Sequence, residues 1–119
     1  MTRQRYDNHS TEFGLWLRQQ AELDSKLGYQ ATNLDYIWGN YKTGDWMCIE
    51  EKRYGADVSL AQRQLFTKLS NAISDAPGCH GVHLLQFEQR TPDDGRIYWN
   101  RVEITKEELL DILKFKDRI

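Results

Sequence analysis

Apolar residues recur at helical spacing in three segments of the chain, and each segment begins near a residue suited to capping a helix N-terminus. The predicted caps are Ser10 or Thr11 for the first helix, Asp57 or Ser59 for the second, and Thr105, in a capping box with Glu108, for the third. The apolar stripe of the first helix is Phe13, Trp16 and Leu17, and that of the second is Leu60, Phe66, Leu69 and Ile73. The predicted buried face of the third helix is Leu109, Leu110, Ile112, Leu113 and Phe115. The pattern therefore predicts three amphipathic helices.

Runs rich in aromatic and β-branched residues lie between the helices and predict four strands. Two of these runs lie within residues 35–52, on either side of Lys42-Thr43-Gly44-Asp45. This turn signal predicts a hairpin with Thr43-Gly44 as a two-residue loop. The other two runs, residues 81–88 and 97–104, flank a turn that contains Pro and Gly and predict a second hairpin. The long helical crossover between the hairpins favours parallel pairing of their adjoining strands.

This order of elements predicts an α/β fold in which a mixed central β-sheet is flanked by helices. Residues 20–31 favour a turn or a short helix that ends at Gly28. We expect residues 1–9 to form a polar arm. Residues 10–119 are expected to form a single domain, because a chain of 119 residues can bury one core but not two.

The composition is typical of a packed globular protein, with 39% hydrophobic residues and four Trp, six Tyr and four Phe. No apolar run approaches the length needed to span a bilayer, and the polar start of the chain does not resemble a signal peptide. Two cysteines, Cys48 and Cys79, do not make a disulfide framework. We therefore expect a cytoplasmic protein.

The net charge of −2 differs from the basic balance that is usual in nucleic-acid-binding proteins. It does not exclude binding to DNA, because a basic stripe can exist on a neutral protein. The candidates for such a stripe are Arg53, Arg63, Lys68, Arg3 and Arg5.

Charged residues at the open end of the first hairpin are predicted to cluster. With a two-residue loop, Asp35 lies opposite Lys52, and Ile37 lies opposite Glu50. Because strand side chains alternate between faces, Asp35, Glu50 and Lys52 then share one face while Glu51 points to the other. The second strand carries Trp, Met, Cys and Ile before these charges, so it should be mostly buried and its charges need partners.

Two explanations fit this cluster. It can be a surface ladder of alternating charges, in which Asp35 pairs with Lys52 while Glu51 and Arg53 are exposed. Alternatively, two carboxylates and a backbone carbonyl form an oxygen site of the kind that Mg²⁺ prefers, and the neighbouring Lys positions or activates a water molecule. Hairpin geometry alone favours the surface ladder.

The same residues resemble the signature of the PD-(D/E)XK nuclease superfamily, which has an acid on one strand, Glu-x-Lys on the next strand of a hairpin, and then a helix that often carries a Gln. In this chain the matching residues are Asp35, Glu50-Glu51-Lys52 and Gln62. Leu34 stands where the Pro that gives the family its name would be. The order and spacings are most similar to small resolvase-like, RecB-like and VRR-type members, including phage-type ones. The resemblance covers about residues 10–88.

The resemblance implies a restriction-endonuclease-like core that hydrolyses phosphodiester bonds of DNA, including branched or structured DNA. The implied metal ligands, for Mg²⁺ or Mn²⁺, are Asp35, Glu50 and the backbone carbonyl of Glu51. Lys52 would orient or activate the attacking water, and Gln62 would assist at the phosphate. Arg53, Arg63 and Lys68 would contact DNA. A homodimer or a protein partner would have to supply specificity in a chain this short.

Some members of the superfamily hold a further acid on the first helix, which makes Glu12 a candidate for an additional site residue. Its position also has a simpler explanation, because an acid in the first turn of a helix is favoured by the helix dipole. Asp24 has no spacing that assigns it to the site.

A second class of function stays open, in which the fold is kept without catalysis and the protein acts as an adaptor that binds protein or DNA. The acidic balance suits an adaptor, as do the four tryptophans, Trp16, Trp38, Trp46 and Trp99. The complete set of acid, Glu and Lys favours the enzyme, because a degenerate member of the family usually loses Glu or Lys first.

Overall fold

The computed structural model describes residues 12–116, and the chain divides into two compact units, Met1–Ala31 and Thr32–Ile119. The described part of the first unit contains helix α1 (Glu12–Arg18) and two short 3₁₀ helices, Ala21–Leu23 and Ser25–Leu27. The second 3₁₀ helix ends at Gly28, which has a left-handed φ of 100°, as the sequence predicts. The predicted caps of α1, the polar arm 1–9, and Arg3 and Arg5 lie outside the described residues.

The second unit is built on a five-stranded mixed sheet. Its strands lie side by side in chain order and are β1 (Tyr36–Asn40), β2 (Asp45–Lys52), β3 (Cys79–Phe87), β4 (Ile97–Trp99) and β5 (Val102–Ile104). Helix α2 (Leu60–Ile73) connects β2 to β3, and helix α3 (Lys106–Leu113) follows β5. The β2–β3 pair is parallel and the other three pairs are antiparallel. The predicted α/β class and the parallel pairing across the helical crossover are confirmed.

The first hairpin has a longer loop than the two-residue loop predicted from the sequence. Asn40 pairs with Asp45, so that four residues, 41–44, form the loop. The side chain of Asn40 holds this loop by accepting from the backbone N–H of Lys42, and the backbone carbonyl of Asn40 accepts from Gly44 at 2.8 Å. The register is shifted by two residues, and a shift of two leaves every side chain on its predicted face.

The prediction of a single strand over residues 97–104 is wrong, because this segment forms two strands that pair with each other. Trp99 pairs with Val102, which makes Asn100 and Arg101 a two-residue turn between β4 and β5. Both turn residues have positive φ angles, 52° and 71°, as a type I′ turn requires. The turn creates a fifth strand that the alternating pattern alone did not reveal.

The core of the second unit lies on one face of the sheet, against α3. Met47 and Ile49 of β2 are 2% and 4% exposed, and they pack with Leu109 of α3. The other buried members of this core are Leu85, Phe87 and Ile97, and the half-buried side chains around it include Ile112, Leu113 and Phe115. The predicted buried face of α3 is therefore confirmed except at Leu110, which is exposed.

Both helices of the second unit begin with the reciprocal hydrogen bonds of a capping box. Ser59, rather than the alternative Asp57, caps α2 and pairs with Gln62. Thr105 caps α3 and pairs with Glu108, as predicted. Across residues 12–116, no helix is long and apolar enough to cross a membrane.

Candidate functional site

Glu50 is the buried charged residue at the end of the central strand β2. Only 4% of its surface is exposed, and its neighbours Met47, Cys48 and Ile49 in the same strand are equally buried. Its Oε1 atom has no hydrogen-bond partner within residues 12–116. A buried carboxylate oxygen without a partner is costly, so this atom marks a place where a ligand would be stabilising.

Lys52 lies on the same sheet face as Glu50, two residues further along β2. Its Nζ is 3.4 Å from Oε2 of Glu50, and its side chain is only 22% exposed. The shared face follows from the period-two alternation of a strand, as the sequence predicts. The ammonium therefore neutralises part of the buried charge while leaving Oε1 unpartnered.

Asp35 immediately precedes β1 and is held against the end of β2. Its Oδ2 accepts a hydrogen bond from the backbone N–H of Glu51 at 2.8 Å. In the register of the hairpin, the residue before Tyr36 continues the ladder opposite Glu50 instead of opposite Lys52. The two carboxylates, Asp35 and Glu50, are thus neighbours across the strands.

The electrostatics of Glu50 reflect these neighbours. Burial raises the pKa of the Glu50 carboxyl above its ordinary value, and the negative charge of Asp35 raises it further. The charge of Lys52 and its hydrogen bond act in the opposite direction. A divalent cation between the two carboxylates would favour the charged form, so their donor chemistry fits a hard cation such as Mg²⁺.

The side chain of Glu51 points away from this cluster, to the face that also carries Tyr36 and Arg53. Its Oε2 pairs with Nε of Arg53 at 2.7 Å, and its Oε1 accepts from the hydroxyl of Tyr36 at 3.3 Å. The charge of Glu51 raises the pKa of Tyr36, as do burial and their hydrogen bond. Arg53 is therefore engaged on the face opposite Glu50, and only the backbone of Glu51 remains as a candidate ligand.

Gln62 is fixed by two structural hydrogen bonds. Its Oε1 accepts from the backbone N–H of Ser59 in the capping box of α2, and its Nε2 donates to Oγ1 of Thr32 at 3.1 Å. Both ends of the amide take part in these bonds, which fix its orientation and leave the second N–H of Nε2 as the donor that a phosphate could use. The role at the phosphate that the sequence resemblance implies stays a prediction.

The remaining candidates lie at separate places. Glu12 is the exposed first residue of α1, in the first unit, and its role in the site also stays a prediction. Lys68 is exposed on α2. Arg63, also on α2, lines a pocket that has Glu50 in its wall. Asp24 accepts a hydrogen bond from the backbone of Lys26 and caps the second 3₁₀ helix.

The pocket beside Glu50, which we call the Glu50 pocket, was not foreseen from the sequence. It has a volume of about 220 Å³ and lies between α2, β3 and the β4–β5 turn. The polar residues that line it with Glu50 are Arg63, Thr67, Ser70, His83, Asn100 and Arg101. Two of these side chains, Asn100 and Arg101, come from the β4–β5 turn. The signal for this turn in the sequence was Asn100, because Asn tolerates positive φ.

Comparison with known proteins gives no relative. No family model matches the chain, and searches of curated proteins and of solved structures found no match. Within the described part of the chain, no group of three or more His, Cys, Asp or Glu side chains could hold a metal ion. The candidate site at Asp35 and Glu50 is smaller than such a group, since it combines two carboxylates with a backbone carbonyl.

Proposed function

We propose that this protein is a metal-dependent deoxyribonuclease that uses Mg²⁺ or Mn²⁺ to hydrolyse phosphodiester bonds, with branched or structured DNA among its substrates. The observation that carries the proposal is the environment of Glu50. This residue combines near-complete burial, an unpartnered carboxylate oxygen, a Lys at 3.4 Å and a second carboxylate next to it across the hairpin. This combination of two carboxylates and a lysine suits a reaction that needs both a bound cation and an oriented nucleophile.

The residues divide into two roles. Asp35, Glu50 and the backbone carbonyl of Glu51 would hold the cation, which supplies positive charge for the phosphate oxygens during hydrolysis. The hydrogen bond from Glu51 N–H holds Asp35 in place through Oδ2. Lys52 carries up to three N–H donors on a side chain anchored by Glu50, and it would orient the attacking water and offset the charge that develops on the phosphate.

The proposed setting of this activity is the cytoplasm. The described part of the chain is small, so a homodimer or a protein partner would contribute to substrate choice. Oligomeric state can be read from the elution volume and light scattering of the purified protein with and without DNA.

The first test is cleavage of linear, flapped and four-way DNA with Mg²⁺ or Mn²⁺, beside calorimetry of metal binding. We expect the parent to cut at least one substrate, and we expect Glu50→Gln to lose metal binding and cleavage together, because it removes one of two ionic ligands. Glu107→Gln is the matched control, since Glu107 is exposed in the first turn of α3. A Glu50→Gln variant that still cuts at the parent's rate would end the proposal.

Lys52→Ala separates the role of the lysine from that of the ligands. We expect it to keep metal binding while cleavage falls roughly 100-fold, in the range found for the loss of a group that assists proton transfer or stabilises the transition state. Lys114→Ala, which removes an exposed Lys beyond the end of α3, is the control and should cut normally. Equal cleavage by Lys52→Ala and the parent would remove the role given to Lys52.

A second candidate function is an adaptor that binds without cutting. The observation that favours it is β1, an edge strand in which every residue is exposed, including Ile37 at 74%. Exposed apolar edge strands are sites where another chain can pair. If the purified parent binds no divalent ion and cuts none of the three DNA forms, the adaptor becomes the better description.

A further inference from the structure

The Glu50 pocket is lined by positively charged side chains as well as by Glu50. Arg63 from α2 and Arg101 from the β4–β5 turn both line it. Within residues 12–116, the acid that pairs with Arg101 is Asp57, which accepts two hydrogen bonds from it, at 2.7 and 3.3 Å. Glu50 itself is paired with Lys52. The arginine side of the pocket is therefore left with an excess of positive charge.

Asp57 positions Arg101 without using all of its donors. Burial raises the pKa of Asp57, but the hydrogen bonds from Arg101 and from the backbone N–H of Val58, together with the charges of Arg101 and Arg63, lower it overall. A guanidinium has five N–H donors, of which Asp57 takes two from Arg101. The remaining donors of Arg101 make no hydrogen bond within the described part of the chain and can serve a ligand.

Arg101 is held in a conformation that its residue type does not favour. Its φ of 71° is left-handed, a backbone conformation that strains a non-glycine residue. The position is the second central residue of a type I′ turn, where Gly is preferred. The arginine at this position places a guanidinium at the pocket that a glycine would not supply.

We propose that the Glu50 pocket binds an internal phosphate group of a DNA strand, adjacent to the phosphate that is cleaved, and that Arg63 and Arg101 are the side chains that bind it. This inference rests on the proposed function. The pocket shares Glu50 with the proposed cleavage site, so a group bound in the pocket neighbours the group bound at that site. Arginine recognises phosphate through paired N–H donors, which gives both charge and orientation.

The binding test uses fluorescence anisotropy of labelled DNA in EDTA over a series of salt concentrations, with thermal melts of each variant. We expect Arg101→Gly to weaken binding about tenfold, in line with the loss of hydrogen bonds to a charged group. The slope of log K against log salt should decrease by about 0.9 for duplex DNA, the value for one phosphate contact. The melting temperature of Arg101→Gly should equal or exceed that of the parent, because glycine relieves the backbone strain of the turn.

Three further variants separate binding from structure. Arg63→Gln should weaken binding in the same way, and Lys114→Ala should not. Asp57→Asn should tighten binding several-fold, because it removes the competing negative charge. If Arg101 serves only to hold the loop through Asp57, then Asp57→Asn will instead weaken binding together with Arg101→Gly, and this result overturns the inference.

The source of the phosphate is distinguished with one oligonucleotide that carries either a 5′-phosphate or a 5′-hydroxyl. Equal effects of Arg101→Gly on both support an internal phosphate, whereas an effect on the phosphorylated form alone overturns it. If the parent binds and cuts DNA but Arg63→Gln and Arg101→Gly bind like the parent, the inference fails while the nuclease proposal stands. If the parent cuts nothing but the arginine variants still weaken binding, the nuclease proposal fails and the pocket remains a DNA contact. A parent that neither binds nor cuts DNA rejects both.

Discussion

Asn100 fixes the tautomer of the neutral His83 ring. Oδ1 of Asn100 accepts from the backbone N–H of Leu84 at 2.9 Å, so its Nδ2 faces Nδ1 of His83 at 3.0 Å. Nδ1 must then accept, and the single proton of the neutral ring lies on Nε2, which donates to the carbonyl of His80 at 2.6 Å. The ring also stacks on Trp99, with ring centroids 4.9 Å apart.

This arrangement predicts that acid destabilises the fold. Burial lowers the pKa of His83 below its ordinary value of 6.5, so in the window between the two values the unfolded chain binds more protons and stability rises with pH. We expect the free energy of unfolding to fall from about pH 7.5 to about pH 5.5, where a histidine of ordinary pKa titrates. Urea titrations at both pH values will measure this loss.

The contribution of His83 is isolated by comparing variants. Glu50, whose pKa is raised, contributes the opposite slope as its carboxyl titrates, so the informative quantity is the difference between the parent and His83→Gln. We expect His83→Gln to lose the acid-sensitive part and His80→Gln to retain most of it, because burial is the largest cause of the lowered pKa of His83. An identical pH dependence in the parent and His83→Gln would contradict the assignment.

At the scale of elements, β2 carries both the core and the candidate site. Its alternation places Met47 and Ile49 against α3, and Glu50 and Lys52 on the other face. The same strand therefore needs apolar residues at positions 47 and 49 for folding and charged residues at positions 50 and 52 for the proposed chemistry.

Ile49→Asp should prevent folding, because it places an unpaired charge in the core beside Met47 and Leu109. We expect a loss of about 4 kcal/mol or more, at the exceptional end for single substitutions. The control is Ile37→Asp on β1, where the side chain is 74% exposed and the same change should cost little. Circular-dichroism melts report both, and a normal melt for Ile49→Asp would refute the sheet orientation.

Helix α2 offers a test that separates a structural role of Gln62 from a role at the phosphate. Ser59→Ala and Gln62→Ala each remove half of the capping box and should each cost about 1 kcal/mol, measured by urea titration. If Gln62 is structural, both variants cut DNA equally well under conditions where they are folded. A selective loss of cleavage in Gln62→Ala would restore the role at the phosphate that the motif implies.

At the scale of the whole second unit, the sheet is stabilised by a contact between the β1–β2 loop and the turn before β3, which are far apart in sequence. Gly78, in the turn before β3, has its carbonyl bonded to the backbone N–H of Trp46 at 2.9 Å. A Cβ on Gly78 would collide with the backbone carbonyl of Gly44 in the β1–β2 loop. Nε1 of Trp46 also donates to the carbonyl of Pro77 at 3.0 Å. The parallel β2–β3 pairing begins at this contact.

Gly78→Ala should therefore destabilise the protein more than a glycine substitution at open space. The control is Gly55→Ala, because Gly55 has nearly the same left-handed φ, 73° against 74°, but nothing near its Cβ position. Both variants carry the backbone strain, and only Gly78→Ala carries the collision. We expect a difference of about 2 kcal/mol in the free energy of unfolding, and equal losses would show that the turns can move apart.

The sequence by itself determined the features that depend on local repeats and short-range hydrogen bonds. Helical spacing and the Ser59 and Thr105 caps located α2 and α3, and strand alternation placed Glu50 and Lys52 on one face. The face assignment survived a register error because the loop was wrong by two residues, and side-chain direction repeats every two residues.

Only the tertiary structure decided the features that depend on segments distant in sequence. The loop length of the first hairpin depends on how Asn40 bonds its own loop, and the turn at Asn100 and Arg101 is held by hydrogen bonds between Asn100 and Leu84 of the neighbouring strand. The Glu50 pocket needs α2, β3 and this turn at once. No periodicity encodes such a meeting of three elements, because it arises from packing after each has formed.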